Sequence, residues 1–282
     1  MAEVEIRPAG EDDVETAYGA LVACDLGPWF DLTFEQFRAW WTTYKGSWVA
    51  EERELVGFAA ARASDVEVYV LPEARRRGTG TRLLAEAEAA ADEDRLEATV
   101  RRDEPAAAPF LESHGYARSL EIWLMQIDLD HEPPEPSWPD GITVRAFRPE
   151  EARAVKDLLD IGYAKEPDFR EEPFEDWSRF MLDDTSFEAE SWFVAEAADG
   201  SLAGAALSWK EGYVKDLVVD PAHRRRGLGE ALMLHTVRHF KARGAPTLTL
   251  KTDSVNTSQA WRLYERLGLR TIRTYDVFEK RR

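Results

Sequence analysis

Among its 282 residues the chain has one cysteine, Cys24, so no intrachain disulfide framework can hold it together. A single thiol of this kind reads as a small buried side chain, not as a nucleophile. Histidine is scarce as well: His114, His131, His223, His235 and His239 are the full set. His235 and His239 stand four apart, a spacing that can hold zinc on a helix. No glutamate lies between them to complete a metalloprotease pattern, and no metal is expected. No apolar run approaches the roughly 20 residues that cross a bilayer, and the acidic N-terminus has no signal-peptide pattern. A cytoplasmic protein without a membrane partner is expected. Basic charge is in deficit too, with 36 Lys plus Arg against 54 Asp plus Glu and a net charge of −18. That balance leaves nucleic acid without the broad positive field it needs.

What the chain does have, it has twice. Glu67-Val68-Tyr69-Val70-Leu71-Pro72 leads into Arg75-Arg76-Arg77-Gly78-Thr79-Gly80, and Asp216-Leu217-Val218-Val219-Asp220-Pro221 leads into Arg224-Arg225-Arg226-Gly227-Leu228-Gly229. Each copy reads as a β-branched strand, a proline turn, three arginines and a Gly-x-Gly that opens an Ala/Leu-rich helix. The glycines let the backbone turn tightly and approach a ligand, the helix start offers free N–H groups, and the arginines add charge. This order suits a phosphorylated cofactor. The third glycine of a dinucleotide fingerprint is missing, which disfavours a nicotinamide enzyme.

The repeat extends well beyond that motif. Ile6-Arg7-Pro8 matches Val144-Arg145-Ala146, each ahead of an acidic helix start. Ser47-Trp48-Val49-Ala50-Glu51 matches Ser191-Trp192-Phe193-Val194-Ala195-Glu196 with one residue inserted. Leu55-Val56-Gly57 parallels Leu202-Ala203-Gly204, and His114-Gly115-Tyr116 parallels Leu267-Gly268-Leu269. Correspondences that keep their order over a whole half indicate a duplicated domain. Proline-rich 133–140 reads as a stiff linker, which places the domains at 1–132 and 141–282. A length of 282 residues agrees with two domains, each able to bury its own core.

The pattern of elements is α+β in each half. In the second, strands are expected at 142–146, 192–196, 202–209, 213–219, 247–251 and 271–278. Helices are expected at 149–159, 174–182, 228–242 and 257–267. The first half follows the same order with weaker signals, and its helix over 85–91 is almost pure Ala and Glu. Neither half interleaves strands and helices regularly enough for a doubly wound sheet.

This order resembles the GNAT superfamily of acyl-CoA-dependent N-acetyltransferases, once per half. Its signature, Arg/Gln-x-x-Gly-x-Gly/Ala after a central strand, stands at Arg75–Gly80 and Arg224–Gly229. A later Asn-x₃-Ala-x₃-Tyr-x₃-Gly pattern is carried by Asn256, Ala260, Tyr264 and Gly268. The resemblance implies two tandem domains, each a mixed, mostly antiparallel sheet flanked by helices. It implies acetyl-CoA as acyl donor, held through Leu217, Val218, Val219, Arg224, Arg225, Arg226, Gly227, Leu228, Gly229 and Asn256. The equivalent set in the first half is Val68, Tyr69, Val70, Arg75, Arg76, Arg77, Gly78, Thr79 and Gly80. The tandem arrangement is similar to that of the mycothiol synthases, with one departure: Tyr213 stands where they carry a glutamate.

The halves differ where the resemblance places the chemistry. Counting back from the matched glycines, Tyr264 faces Leu111, and Asn256 faces Asp103. The tyrosine in this family assists the departing thiolate, so the second half is expected to be catalytic and the first is not. The amine must lose a proton as it attacks the thioester. Asp216 is the expected base, Glu211 its rival, and main-chain N–H near Val218 an oxyanion site. The acceptor is expected to be a small-molecule amine. A cation would suit the acidic and aromatic residues between 166 and 190, among them Glu166, Asp168, Phe169, Trp177 and Phe187. A peptide or protein amine stands as an alternative acceptor, and a non-catalytic acetyl-CoA sensor or scaffold as the alternative class. The oligomeric state is left open.

Overall fold

The structure, a computed structural model, describes residues 4–24, 33–166, 169–256 and 258–282. Its strands are β1 (Glu5–Pro8), β2 (Gly46–Glu51), β3 (Leu55–Arg62), β4 (Asp65–Val70), β5 (Arg95–Arg101) and β6 (Ala117–Asp128). They continue as β7 (Ile142–Ala146), β8 (Phe193–Ala197), β9 (Leu202–Trp209), β10 (Tyr213–Val219), β11 (Thr247–Asp253) and β12 (Arg270–Arg281). The helices are α1 (Val14–Cys24), α2 (Phe34–Trp41), α3 (Thr79–Ala90), α4 (Ala107–Ser113), α5 (Ala152–Tyr163), α6 (Phe174–Leu182), α7 (Leu228–Ala242) and α8 (Ala260–Arg266). The helix expected at 257–267 thus begins later, at Ala260, and Thr257 lies outside the described residues.

The chain forms two compact units, residues 1–121 with 274–282 and residues 122–273. These bounds differ from a division at the proline-rich segment, because each half of the sequence gives most of its last strand to the other unit. In the first unit, β12 pairs antiparallel with β5 from Tyr275↔Arg101 to Arg281↔Arg95. In the second, β6 pairs antiparallel with β11 from Asp253↔Ile122 to Thr247↔Asp128. Residues 133–140 pack as part of the second unit. Arg238 on α7 donates to the Pro133 carbonyl at 2.7 Å, and the Trp138 ring meets His235 edge-on.

Within the first unit, β1, β2, β3 and β4 pair antiparallel in that order, and β4 meets β5 in parallel. The second unit repeats this with β7, β8, β9 and β10 antiparallel and β11 parallel to β10. Each sheet is mixed, with helices on both faces. Alternation along a strand sends successive side chains to opposite faces. Phe58 and Ala60 of β3 accordingly join α1 and α2, and Ala59 and Ala61 join α3. Along β8 and β9, Val194, Ala205 and Leu207 pack on α5 and α6, whereas Phe193, Ala195 and Ala206 pack on α7.

Polar fittings repeat as well. Arg7 bridges Asp13 and Glu51, both at 2.7 Å, while Arg145 bridges Glu151 at 2.7 Å and Glu196 at 2.9 Å. Asp13 accepts from the Gly10 N–H and Glu151 from the Arg148 N–H, so each acid also caps the helix start that follows the first strand.

Candidate active site

The site begins where a parallel strand pair comes apart. In the second unit β10 and β11 pair only at Tyr213↔Thr249 and Val214↔Leu250. Directly beyond, β10 slips in register against β9 between Val214 and Asp216. A bulge bends and twists the strand that carries it, which explains the parting. The gap becomes a cavity of about 340 Å³, walled by Lys215, Asp216 and Leu217 on one side and Lys251, Thr252 and Asp253 on the other. Tyr163 from α5, Tyr264 from α8, Asn256, Glu166 and Phe169 complete the lining.

Tyr264 is 7% exposed, and its hydroxyl has no protein hydrogen-bond partner among the described residues. Burial, reinforced by the negative charge of Asp216, pushes its phenol above the ordinary tyrosine range, so the hydroxyl keeps its proton. Tyr163 is raised too, chiefly by burial and then by Asp216 and Tyr264, and its hydroxyl donates to the Leu217 carbonyl at 3.4 Å. The charge of Asp216 thus acts on both phenols, and the Lys215 ammonium lies 3.7 Å from its carboxylate. Burial lowers Lys251 to about 7, helped by the charges of Lys215 and Arg273. Glu211, the expected rival to Asp216, sits in the exposed turn between β9 and β10 and does not line the cavity.

The three arginines of each loop do three different things. Nε of the first donates to the carbonyl that ends the central strand, from Arg75 to Val70 at 2.9 Å and from Arg224 to Val219 at 3.0 Å. Arg224 also donates to the Gly162 carbonyl at 2.6 Å, which ties α5 to β10. The second, Arg76 or Arg225, is exposed and left-handed, with φ of 63° and 61°. The third turns aside, Arg77 to Glu52 at 2.9 Å and Arg226 toward the Asp140 carbonyl at 3.4 Å. Gly78 and Gly227 follow with φ of 84° and 85°, each the residue ahead of a helix. The N–H groups of the first turn then have no partner inside the helix and point at the loop. Thr79 and Leu228 are each 2% exposed, so these positions face the core and can offer a ligand only their main chain. A Cβ at Gly229 would lie 3.6 Å from Val219 and 3.8 Å from Leu263, and one at Gly80 would lie 3.4 Å from Phe110. Glycine keeps those floors low.

Asn256 spends its side-chain oxygen locally, accepting from the Ser258 N–H at 3.0 Å and from the Ala260 N–H at 3.5 Å, ahead of α8. Its counterpart, Asp103, pairs with Arg101 at 2.6 Å. The aromatics expected to wall the acceptor divide. Phe169 reaches the cavity, while Trp177 and Phe187 pack around Trp192 in the core. Asp168 lies outside the described residues. His235 and His239 meet Phe193 edge-on.

The first unit has the same design with a different lining. β4 and β5 pair only at Asp65↔Glu97, and the gap beyond is a cavity of about 660 Å³ that runs from Glu67 and Tyr69 to Arg76, Gly78 and Gly80. Leu111 on α4 stands where Tyr264 stands on α8. Each helix ends the same way: the Tyr116 N–H bonds the Leu111 carbonyl and the Leu269 N–H bonds the Tyr264 carbonyl, across left-handed Gly115 and Gly268.

Sequence reasoning missed Tyr163 and Lys251. The signal for Lys251 was a charge in a strand of alternating Thr and Leu, but only the parting of β10 and β11 makes that face a cavity wall.

Residues 154–269 match the acetyltransferase (GNAT) family, and residues 44–118 match an acetyltransferase (GNAT) domain. A mycothiol acetyltransferase from a Nocardioides species is 34% identical over 228 residues, 71% of this chain and 75% of the relative. Another, from Thermobispora bispora, is 35% identical over 245 residues, 81% of this chain and 80% of the relative. Among solved structures, a GCN5-related N-acetyltransferase from Sphaerobacter thermophilus superimposes with a TM-score of 0.79 at 25% identity, covering 99% of this chain and 95% of that one. A tandem GNAT protein from the clavulanic acid biosynthesis pathway has a TM-score of 0.72 at 20% identity over 99% of this chain and 98% of that one, a likeness of fold.

Proposed function

Because this chain belongs to the GNAT acetyltransferase family, as an N-acetyltransferase with two such domains in tandem, we propose that its second half acetylates a primary amine of a small molecule. GNAT acetyltransferases take acetyl-CoA as donor. The loop residues fit that donor: the left-handed Gly227, the helix-start N–H groups and exposed Arg225 suit its phosphates. Low-floored Gly229 leaves the end of β10 open to its arm. Main-chain groups of Leu217, Val218 and Val219 guide that arm, and an N–H near Val218 polarises the thioester oxygen.

One observation carries the reading. Tyr264, a buried residue whose hydroxyl has no protein partner among the described residues, lines the gap where a thioester would lie along β10, beside a carboxylate. Asp216 accepts the proton that the amine nitrogen sheds as it attacks. Tyr264, kept protonated by burial, donates a hydrogen bond to the sulfur as charge develops there and passes its proton to the thiolate. No covalent enzyme intermediate is required. The relatives' name, mycothiol acetyltransferase, supports a small-molecule acceptor. Around the cavity the three carboxylates of Glu166, Asp216 and Asp253 outnumber the lysines Lys215 and Lys251, a balance that favours a cationic amine. With Tyr213 in place of the expected glutamate, we assign no single acceptor.

The test is thiol release from acetyl-CoA with a panel of polyamines, aminoglycosides, amino acids and peptides. Amine-dependent release is expected. In a folded Gly227→Asp/Gly229→Asp variant it should fall to a small residual, with loss of one acetyl-CoA equivalent by calorimetry. Full activity and full binding in that variant would overturn the assignment.

A further inference from the structure

The cleft of the first unit holds a carboxyl group that nothing above uses. Glu67 stands two residues past the last paired position of β4, at the point where β4 and β5 part. It lines the same cavity as Arg76, Gly78 and Gly80 of the loop. Two hydroxyls fix it in place: Tyr69 donates at 3.1 Å and Tyr44 at 3.4 Å to each oxygen. The matching residue of the second unit, Asp216, is one methylene shorter and is ion-paired with Lys215 at 3.7 Å. A left-handed Arg-Gly loop at one end of a cleft and an oriented carboxylate at the other are the two parts that amine acylation requires, a grip for the donor and a proton acceptor.

We propose that the first unit is a second acyl-transfer centre, in which Glu67 removes the proton of an amine as it attacks an acyl-CoA thioester laid along β4. The C–N bond forms and the C–S bond breaks. The amine proton passes to the Glu67 carboxylate and from there to water. The coenzyme A thiolate leaves and takes its proton from solvent, because Leu111 has none to give. Transfer here is therefore slower than in the second unit, and it rests on the same acetyl-CoA reading of the family.

The charged and titratable groups around Glu67 are Arg62 on β3, Asp65 and Tyr69 on β4, and Tyr44 ahead of β2. Burial raises the carboxyl to about 7, against the pull of Arg62. A base at that value is half ionised at neutral pH and close to the optimum for proton transfer.

The experiment uses the full chain with Gly227→Asp and Gly229→Asp, checked for folding by circular dichroism. Thiol release from acetyl-CoA is followed with hydroxylamine, a small and largely neutral amine at pH 7, and with simple alkylamines. Amine-dependent release above the enzyme-free rate should persist and should rise with pH through about 7. Adding Glu67→Gln should lower it about 10²-fold, while calorimetry still shows one acetyl-CoA bound. Tyr264→Phe provides a second background, in which Glu67→Gln should remove a larger share of the remaining rate than it does in wild type. No release above the blank in the first variant, or release indifferent to Glu67→Gln, would overturn this centre while leaving the second unit's assignment intact. Undiminished release in both Tyr264→Phe and the loop variant would instead sink the assignment of the second unit and leave this one standing.

Discussion

A phenol at position 264 and an isobutyl group at position 111 end similar helices and precede the same left-handed glycine. The backbone at these two helix ends is alike, so the side chain there distinguishes a cleft lined by a phenol from one lined by an isobutyl group. Tyr264→Phe should lower kcat about 10²-fold and leave acetyl-CoA affinity within about twofold, because the hydroxyl is needed only as charge reaches sulfur. Steady-state kinetics beside calorimetry checks this, and an unchanged kcat would make Tyr264 a packing residue. Lys251 carries a second prediction. Its folded pKa is about 7, below the roughly 10.4 of an unfolded lysine. Between those values the unfolded chain binds more protons, so this residue's contribution to stability rises with pH across that window. Lys251→Met should flatten the rise, read as a reduced gain in urea midpoint between pH 7 and 10. An equal gain in both proteins would show that the ammonium is not desolvated.

Helices and strands meet closely at a pair of matching glycines. A Cβ on Gly204 of β9 would lie 2.9 Å from Leu232 of α7 and 3.0 Å from the Val218 carbonyl. On Gly57 of β3 it would lie 3.0 Å from Leu83 of α3 and 2.9 Å from the Tyr69 carbonyl. In each unit the helix that opens at the Arg-Gly loop thus rests on the sheet beside the central strand. Gly204→Ala should destabilise the protein by about 1–3 kcal/mol through overpacking. It should also weaken acetyl-CoA binding, since relief of the clash displaces β10 at Val218. Urea unfolding and calorimetry give the two readouts, and a variant as stable as wild type would mean that the sheet yields there without cost.

At the scale of the whole chain, residues 274–282 belong to the unit built from residues 1–121. They pair with β5 along its length and bury Tyr275, Val277 and Phe278 at 0%, 5% and 1% exposure. Ending the chain at Arg273 should therefore expose the first unit to proteolysis, although the deletion lies far from it in sequence. A 1–132 fragment should be loose for the same reason and should gain protection when a peptide of residues 270–282 is supplied. Limited proteolysis with mass mapping is the measurement. A fragment that is resistant without the peptide would show that β12 is dispensable.

The sequence alone determined the duplication, the α+β class and most elements, because these rest on local patterning. The strands Ile142–Ala146, Leu202–Trp209 and Tyr213–Val219 and the helices Phe174–Leu182 and Leu228–Ala242 stand where alternation and helical spacing put them. The Tyr264–Leu111 contrast was legible too, since a left-handed glycine fixes the helix end from which to count. Three things needed the tertiary structure. Which arginine straps a strand and which stays exposed depends on carbonyls at Val70, Val219 and Gly162, which no run of three identical residues can distinguish. The faces of Tyr163, Lys251 and Glu67 became cavity walls only because β10 leaves β11 and β4 leaves β5 after one or two paired residues. The strand given by each half to the other's unit was invisible as well: pairing between distant segments is decided by which sheet lacks a partner, and periodicity along one strand carries no record of its neighbour.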